Sequence, residues 1–319
     1  MFSKNTFFNW HGRIDSEDGV KGHRWHQLVQ QTTDKTDLSI LGFNCDLGVA
    51  ANKGRVGAKN GPNSIRASLC SLAWHLQQIT IKDLGNVEAT KTLEAAQQAY
   101  AQQVYAALLS SQFVIGLGGG HEIALPSFLG LHKNTQSKPK PKIGIINFDA
   151  HFDLRLPNPQ PSSGTPFYQI AEYCKQNSES FHYTCLGVAK PANTPALFER
   201  ADALRVGYLL DEDCNIEAAK SLLTPMLQEV DELYVTICLD AFSSAIAPGV
   251  SAPSSLGISL PFVVSIIRWL SQQQSSLGYA WRLMDIAEMN PLFDVDSRTA
   301  KLAARLVFEA VHAKVESKN

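Results

Sequence analysis

The chain is short of the features that mark membrane, secreted or nucleic-acid-binding proteins. It has no uncharged run of about twenty apolar residues, so no segment is expected to span a membrane. The first thirty residues carry His11, Arg13, Asp15, Glu17, Asp18, Lys21, His23, Arg24 and His26 and no apolar stretch of signal-peptide length, so a cytoplasmic location is expected. Six cysteines (45, 70, 174, 185, 214 and 238) are scattered without a C-x-x-C pair; five read as small residues of a protein in a reducing compartment, and Cys238 is taken up below. A formal net charge of −2 offers no general attraction to nucleic acid or anionic membranes. The expected partner is therefore a small molecule, and a homo-oligomer is compatible with this composition.

What is present is an ordinary globular composition, 45% apolar and 18% charged over 319 residues. Apolar, β-branched runs at Leu38–Phe43, Gln112–Leu117, Lys142–Phe148, His182–Gly187, Leu204–Gly207, Leu233–Leu239 and Ala280–Ile286 read as strands. Helical patterns lie near 61–77, 93–110, 122–133, 166–176, 195–202, 215–229 and 260–275, with a closing helix from about Asp296 or Ser297. Strand and helix in alternation predict an α/β fold with a parallel sheet covered on both sides. No repeat is evident, and the linker-like piece, Lys133–Lys142 with Pro139 and Pro141, is short. One domain is expected over residues 37–319, preceded by a polar extension, 1–36.

In open parallel sheets ligands gather beyond the carboxyl ends of the strands. There the sequence places GGGHE (118–122), DAHFD (149–153), CLD (238–240) and AEMNP (287–291). In DAHFD, period-two spacing after a strand points Asp149, His151 and Asp153 the same way if the backbone stays extended. Carboxylate, imidazole and carboxylate suit a hard or borderline divalent ion. The alternative, loop-capping aspartates and a core histidine, leaves three polar groups beside a buried strand at considerable cost without partners.

GLGGGHE is not a dinucleotide fingerprint, because His121 stands at the third glycine and the acidic residue expected about twenty positions later is missing. The glycines are instead expected to turn the backbone tightly and bring His121 into the site. Asp240 reads equally as ligand or loop cap. Glu288 either holds a cationic amidine or pairs with an arginine.

Taken together, GGGHE, DAHFD, VTICLDAFSSAIAPG and EMNP, preceded by GVAANKGRVGAKNGPNSIR (48–66), resemble the ureohydrolase family of arginase, agmatinase and formimidoylglutamase. The likeness runs from about residue 37 to 310. GGGHE, DAHFDLR, SSGTPF (162–167) and EMNPLFD are most similar to the formimidoylglutamase branch, which releases formamide and L-glutamate from N-formimidoyl-L-glutamate in histidine degradation.

The resemblance implies a three-layer α/β/α, arginase-like fold and two Mn²⁺ ions per subunit. It also implies His121 and Asp153 on one metal, His151 and Asp240 on the other, Asp149 bridging, and position 238 as the second bridge. Two cations sharing a water lower its pKa, giving a nucleophile for the amidine carbon. Asp153 is then the expected proton relay and Glu288 the amidinium holder. Arg55 and Arg155 are the nearest candidates for the substrate carboxylates, though each reads equally as a surface arginine. Ser163 occupies the place where arginases and agmatinases carry a histidine. The alternatives are an agmatinase or guanidino-acid hydrolase of the same fold, and a metal-poor, non-catalytic relative.

That last alternative comes from Cys238, where most relatives have aspartate; Ser243–Ser244 likewise stand where many have Asp–Pro. A cysteine there acts as a small hydrophobe beside a weakened second metal, as a bridging thiolate, or as the mark of lost catalysis. A working enzyme with weakened or metal-selective occupancy is expected, because the other five ligand positions and Glu288 remain.

Overall fold

The computed structural model describes residues 5–32, 34–76, 79–89, 91–134 and 140–316. After a short helix α1 (Trp25–Leu28) and strand β1 (Val29–Gln30) come β2 (Thr36–Asn44), α2 (Leu47–Ala51), α3 (Gly61–Cys70), β3 (Ile81–Glu88), α4 (Leu93–Ser110), β4 (Ser111–Leu117), α5 (Ala124–Asn134) and β5 (Ile143–Phe148). The chain continues through α6 (Pro166–Gln176), β6 (His182–Val188), α7 (Pro195–Ala203), β7 (Gly207–Leu210), α8 (Ile216–Glu229), β8 (Glu232–Cys238), α9 (Leu260–Leu277), β9 (Ala280–Ala287) and α10 (Arg298–Glu316).

Among the described residues nine strands form one sheet, in the order β1-β3-β2-β4-β9-β8-β5-β6-β7, and every pairing is parallel. Both faces are apolar and each carries its own core. Side chains alternate between them: Leu233, Val235 and Ile237 of β8 join one cluster with α3, α8, α9 and α10. Tyr234 joins the other, with α4, α5, α6 and α7. The result is the expected three-layer α/β/α arrangement. Each fully buried Leu, Ile or Phe contributes about 1.5–3 kcal/mol. The body is therefore held by apolar packing that does not depend on the polar groups at the strand ends.

Sequence and structure part company in several places. β3 was not expected, since IKDLGNVE buries Lys82, Asp83 and Asn86. Those groups are matched individually. Buried Arg66 donates to both Asp83 oxygens, at 3.0 and 2.7 Å, and to Asn86 Oδ1 at 2.6 Å. Lys82 Nζ donates to the Asp34 carbonyl and to Ser110 Oγ. β7 lies at Gly207–Leu210, not Leu204–Gly207, because α7 runs to Ala203 and Arg205 turns the chain at φ 56°. The helix expected over 61–77 stops at Cys70, and position 77 lies outside the described residues.

The linker-like piece falls partly on 135–139, also outside them. The amino-terminal segment packs on the body. Trp25 is fully buried, β1 pairs with β3, and Trp10 Nε1 donates to Asp83 Oδ2 at 2.9 Å.

Candidate active site

Strands β4, β9, β8 and β5 are neighbours in the sheet, so the four polar clusters that follow them meet at one rim. The glycines after β4 serve close approach, and none of Gly118–Gly120 has positive φ. A Cβ on Gly119 would stand 1.7 Å from the Cys45 carbonyl oxygen, and one on Gly118 2.7 Å from that of Ile286. Only bare backbone fits between β2 and β9, and this sets His121 at the rim.

The positive φ expected of a tight turn belongs instead to Asp153 (49°) and Glu288 (69°). Such conformations for non-glycine residues cost about 1–3 kcal/mol and cluster at functional sites. The strand has ended at Phe148, so DAHFD is not extended throughout. Asn193 fastens this loop, accepting from Phe152 N at 3.1 Å and donating to the Ala150 carbonyl at 2.8 Å.

Six of the sequence candidates are brought together. His121 Nδ1 lies 2.9 Å from Asp149 Oδ2 and 3.0 Å from Asp153 Oδ2. His151 Nδ1 lies 3.2 Å from Asp240 Oδ2 and 3.5 Å from Asp149 Oδ1. Ligand atoms of His121, Asp149 and Cys238 fall within 4.8 Å of one another, as do those of Asp149, His151 and Asp240. Asp149 is common to both triads.

Negative charge exceeds what the two imidazoles balance. Burial alone would lower the proton affinities of His121 and His151, but the facing carboxylates outweigh it and hold both well above the usual histidine range. Burial and the Asp149 charge push Asp153 up to about 6 and raise Asp240 as well. Burial, then Glu122 and Asp240, raise Glu288 far above the carboxylate range. Burial and Asp149, Asp240 and Glu288 do the same for the Cys238 thiol.

His121 Nδ1 and Asp240 Oδ1 are buried without a hydrogen bond. A nitrogen facing two carboxylate oxygens without hydrogen-bond geometry, in a cluster short of positive charge, fits a pair of divalent cations centred on Asp149. One set that could hold an ion is His121, Asp149 and Cys238, with Asp153 Oδ2 3.0 Å from the same imidazole; the other is Asp149, His151 and Asp240.

A cleft of about 340 Å³ opens over these groups. Glu288 closes it from below: its Oε1 accepts from His121 N at 2.9 Å, while buried Oε2 has no partner. Ser163, Arg55 and Arg155 line it, together with Asn52 and Lys53, which sequence reasoning missed. Arg155 is exposed, whereas Arg55 is largely engaged. Its Nε and Nη2 donate to the carbonyls of Ser251 and Val250, and its guanidinium lies 4.0 Å from the Phe293 ring centre.

Glu122, also missed, is fully buried and pushed up to about 7 by that burial; its Oε1 accepts from Gly48 N and so anchors α2. A larger groove of about 1410 Å³, along α4 and α5, is lined by none of the ligand candidates.

The model of the arginase family matches residues 36–313. The formimidoylglutamase of Vibrio vulnificus (strain CMCP6) is 46% identical, covering 98% of this chain and 96% of its own. That of Hahella chejuensis is also 46% identical, covering 93% and 92%. Among solved structures, Trypanosoma cruzi formiminoglutamase with Mn²⁺ superposes with a TM-score of 0.80 at 22% identity, over 92% of this chain and 98% of that one. Formimidoylglutamase from Bacillus subtilis gives 0.82 at 18% identity, over 93% of each. With its three-layer fold, its rim of convergent ligands and this full-length likeness, the chain belongs to the arginase family.

Proposed function

We propose that this chain is a formimidoylglutamase, a hydrolase that cleaves the amidine C–N bond of N-formimidoyl-L-glutamate to give L-glutamate and formamide. The polarity of the cleft carries the reading: carboxylates at its floor, and Lys53, Arg55 and Arg155 around its mouth. That gradient matches a ligand with a cationic amidine head and a dicarboxylate tail. The substrate's identity is supported by relatives of that name at 46% identity over nearly the whole chain. The catalytic domain in this reading spans residues 37–319.

His121, Asp149, Asp153 and Cys238 would hold one Mn²⁺, and Asp149, His151 and Asp240 the other. Such a pair supplies a bound water of lowered pKa and polarises the reacting carbon. The protein's own groups do the rest. Glu288 Oε2, unpartnered beneath the cleft, accepts from the amidinium and fixes the carbon's orientation. Asp153 is held by a left-handed backbone with its carboxylate 3.0 Å from the His121 imidazole. Its carboxylate would take a proton from the attacking water and pass it to the glutamate nitrogen, which leaves only once protonated. Arg155 and Lys53 receive the carboxylates at the mouth, and Arg55 braces the 250–251 loop that borders it.

The test is a substrate panel with Mn²⁺-loaded protein. N-formimidoyl-L-glutamate should be turned over far better than agmatine, arginine or guanidino acids. Preference for agmatine would overturn the substrate assignment.

A further inference from the structure

Glu122 takes no part in the chemistry above, yet it is fully buried at the rim. Burying a carboxyl group is costly unless it gains partners, and its Oε2 has none. The other oxygen, Oε1, accepts from Gly48 N at 2.8 Å, across 74 positions of sequence. Gly48 is the second residue of α2, and the first N–H groups of a helix have no partner within it. A capping side chain commonly takes one of them. Asp46, which precedes α2, makes no such bond; its Oδ2 accepts from Gly57 N at 2.8 Å instead. Glu122 supplies the missing acceptor from the loop after β4.

The fit leaves no slack. A Cβ on Gly48 would stand 2.5 Å from Glu122 Cδ, and one on Gly120 2.0 Å from Glu122 Oε2. Gln97 of α4 holds the backbone of Glu122, donating from Nε2 to its carbonyl at 2.9 Å. The carbonyl of Gly48 is engaged in turn, accepting from Asn52 N at 2.9 Å and from Ser163 N at 3.0 Å. Asn52, Lys53 and Ser163 all line the cleft, and Glu122 does not. Through Gly48 it therefore reaches two walls of the cleft, the end of α2 and the SSGTPF loop.

We propose that Glu122 is a positioning residue for the substrate's dicarboxylate tail: acting through Gly48, it fixes where Asn52, Lys53 and Ser163 stand relative to the Asp149-centred cluster. The inference rests on the formimidoylglutamase reading. It gives a reason for the acid in GGGHE, where an apolar residue of the same length would be buried at less cost.

The experiment is steady-state kinetics on N-formimidoyl-L-glutamate, with calorimetric Mn²⁺ titration and thermal melts, for wild type, Glu122→Gln, Glu122→Met and Gly48→Ala. Glutamine keeps an oxygen for Gly48 N. Methionine keeps the length without the acceptor, and alanine at position 48 forces α2 and Glu122 apart from the other side. A contact misplaced by about 1 Å costs up to about 100-fold. KM should thus rise roughly ten- to 100-fold in Glu122→Met and in Gly48→Ala, with kcat and Mn²⁺ affinity within a few-fold of wild type. Glu122→Gln should stay close to wild type throughout. A merely structural role would lower the melting temperatures and leave KM unchanged, which overturns the proposal. A loss of kcat and Mn²⁺ affinity in step with KM would place the damage at the ligand cluster and overturn it too.

Hydrogen exchange of the wild type, followed by NMR, needs no variant to fold. The Gly48 N–H is expected to exchange as slowly as the amides of the sheet, and fast exchange overturns the role of Glu122. Wild type that releases no formamide would overturn the formimidoylglutamase reading itself, and is told apart from the other outcomes because it precedes any substitution.

Discussion

Replacing Cys238 by aspartate puts a negative charge into the cluster of candidate ligands around Asp149. Burial and the surrounding carboxylates keep the Cys238 thiol protonated in the metal-free protein, so the substitution exchanges a neutral group for an acidic one. Its ligand atom lies within 4.8 Å of those of Asp149 and His121. Two carboxylates at about that distance repel by roughly 3.5 kcal/mol at an effective dielectric of about 20. That repulsion weakens the metal-free fold and is relieved when a dication lies between the two groups.

Since each 1.4 kcal/mol is about tenfold, Mn²⁺ should bind Cys238→Asp roughly ten- to 300-fold more tightly than wild type. The metal-free variant should melt several degrees lower. Preference should also move toward Mn²⁺ and away from Zn²⁺, because a hard oxygen replaces a soft sulfur. Calorimetry with each ion, and melts in chelator, measure both effects. Equal affinity and stoichiometry for Mn²⁺, with unchanged melting of the metal-free protein, would show that position 238 does not touch the metal and refute the reasoning.

Glu288→Gln keeps the hydrogen bond from His121 N but removes the carboxyl group that a bound amidinium would ionise. A hydrogen bond to a charged group is worth about 1.5–3 kcal/mol, so kcat/KM should fall roughly ten- to 150-fold while Mn²⁺ affinity stays near wild type. Arg155→Ala should raise KM with kcat and melting temperature little changed, as uniform binding of a substrate carboxylate requires; unchanged kinetics would remove it from the site. Arg55→Ala should raise KM and lower the melting temperature together, since its guanidinium holds the carbonyls of Val250 and Ser251. A loss confined to KM would make Arg55 a simple substrate contact. Gly119→Ala sets a methyl group 1.7 Å from the Cys45 carbonyl. It should destabilise by more than the about 1–3 kcal/mol typical of overpacking, and a melt within two degrees of wild type would contradict the close-approach role.

Legibility in the sequence followed the physics of burial. Strands such as IGIINF are apolar on both faces, and no other environment suits them, so the sheet and the clusters at its ends could be read directly. β3 escaped because its buried Lys82, Asp83 and Asn86 are matched by Arg66, Ser110 and Trp10, partners distant in sequence. The same limit hid Asp285, whose Oδ2 accepts from Ser127 and from Tyr234 of the neighbouring strand β8. One signal was available: an aspartate inside LMDIA needs a partner, and a strand beside the one carrying CLD is where it would be found. Arg55 shows the converse, since the GRVGA motif marks its neighbourhood but not which of its hydrogen bonds are already taken.

The central claim is that paired cations on the Asp149-centred cluster drive amidine hydrolysis. Formamide release from N-formimidoyl-L-glutamate, followed as Mn²⁺ is titrated into chelator-stripped protein, tests it most directly. Turnover should be nil without metal and should saturate near about two equivalents per chain, as in two-metal hydrolase sites. A rate independent of added metal would contradict the claim, as would protein that binds Mn²⁺ fully yet releases no formamide.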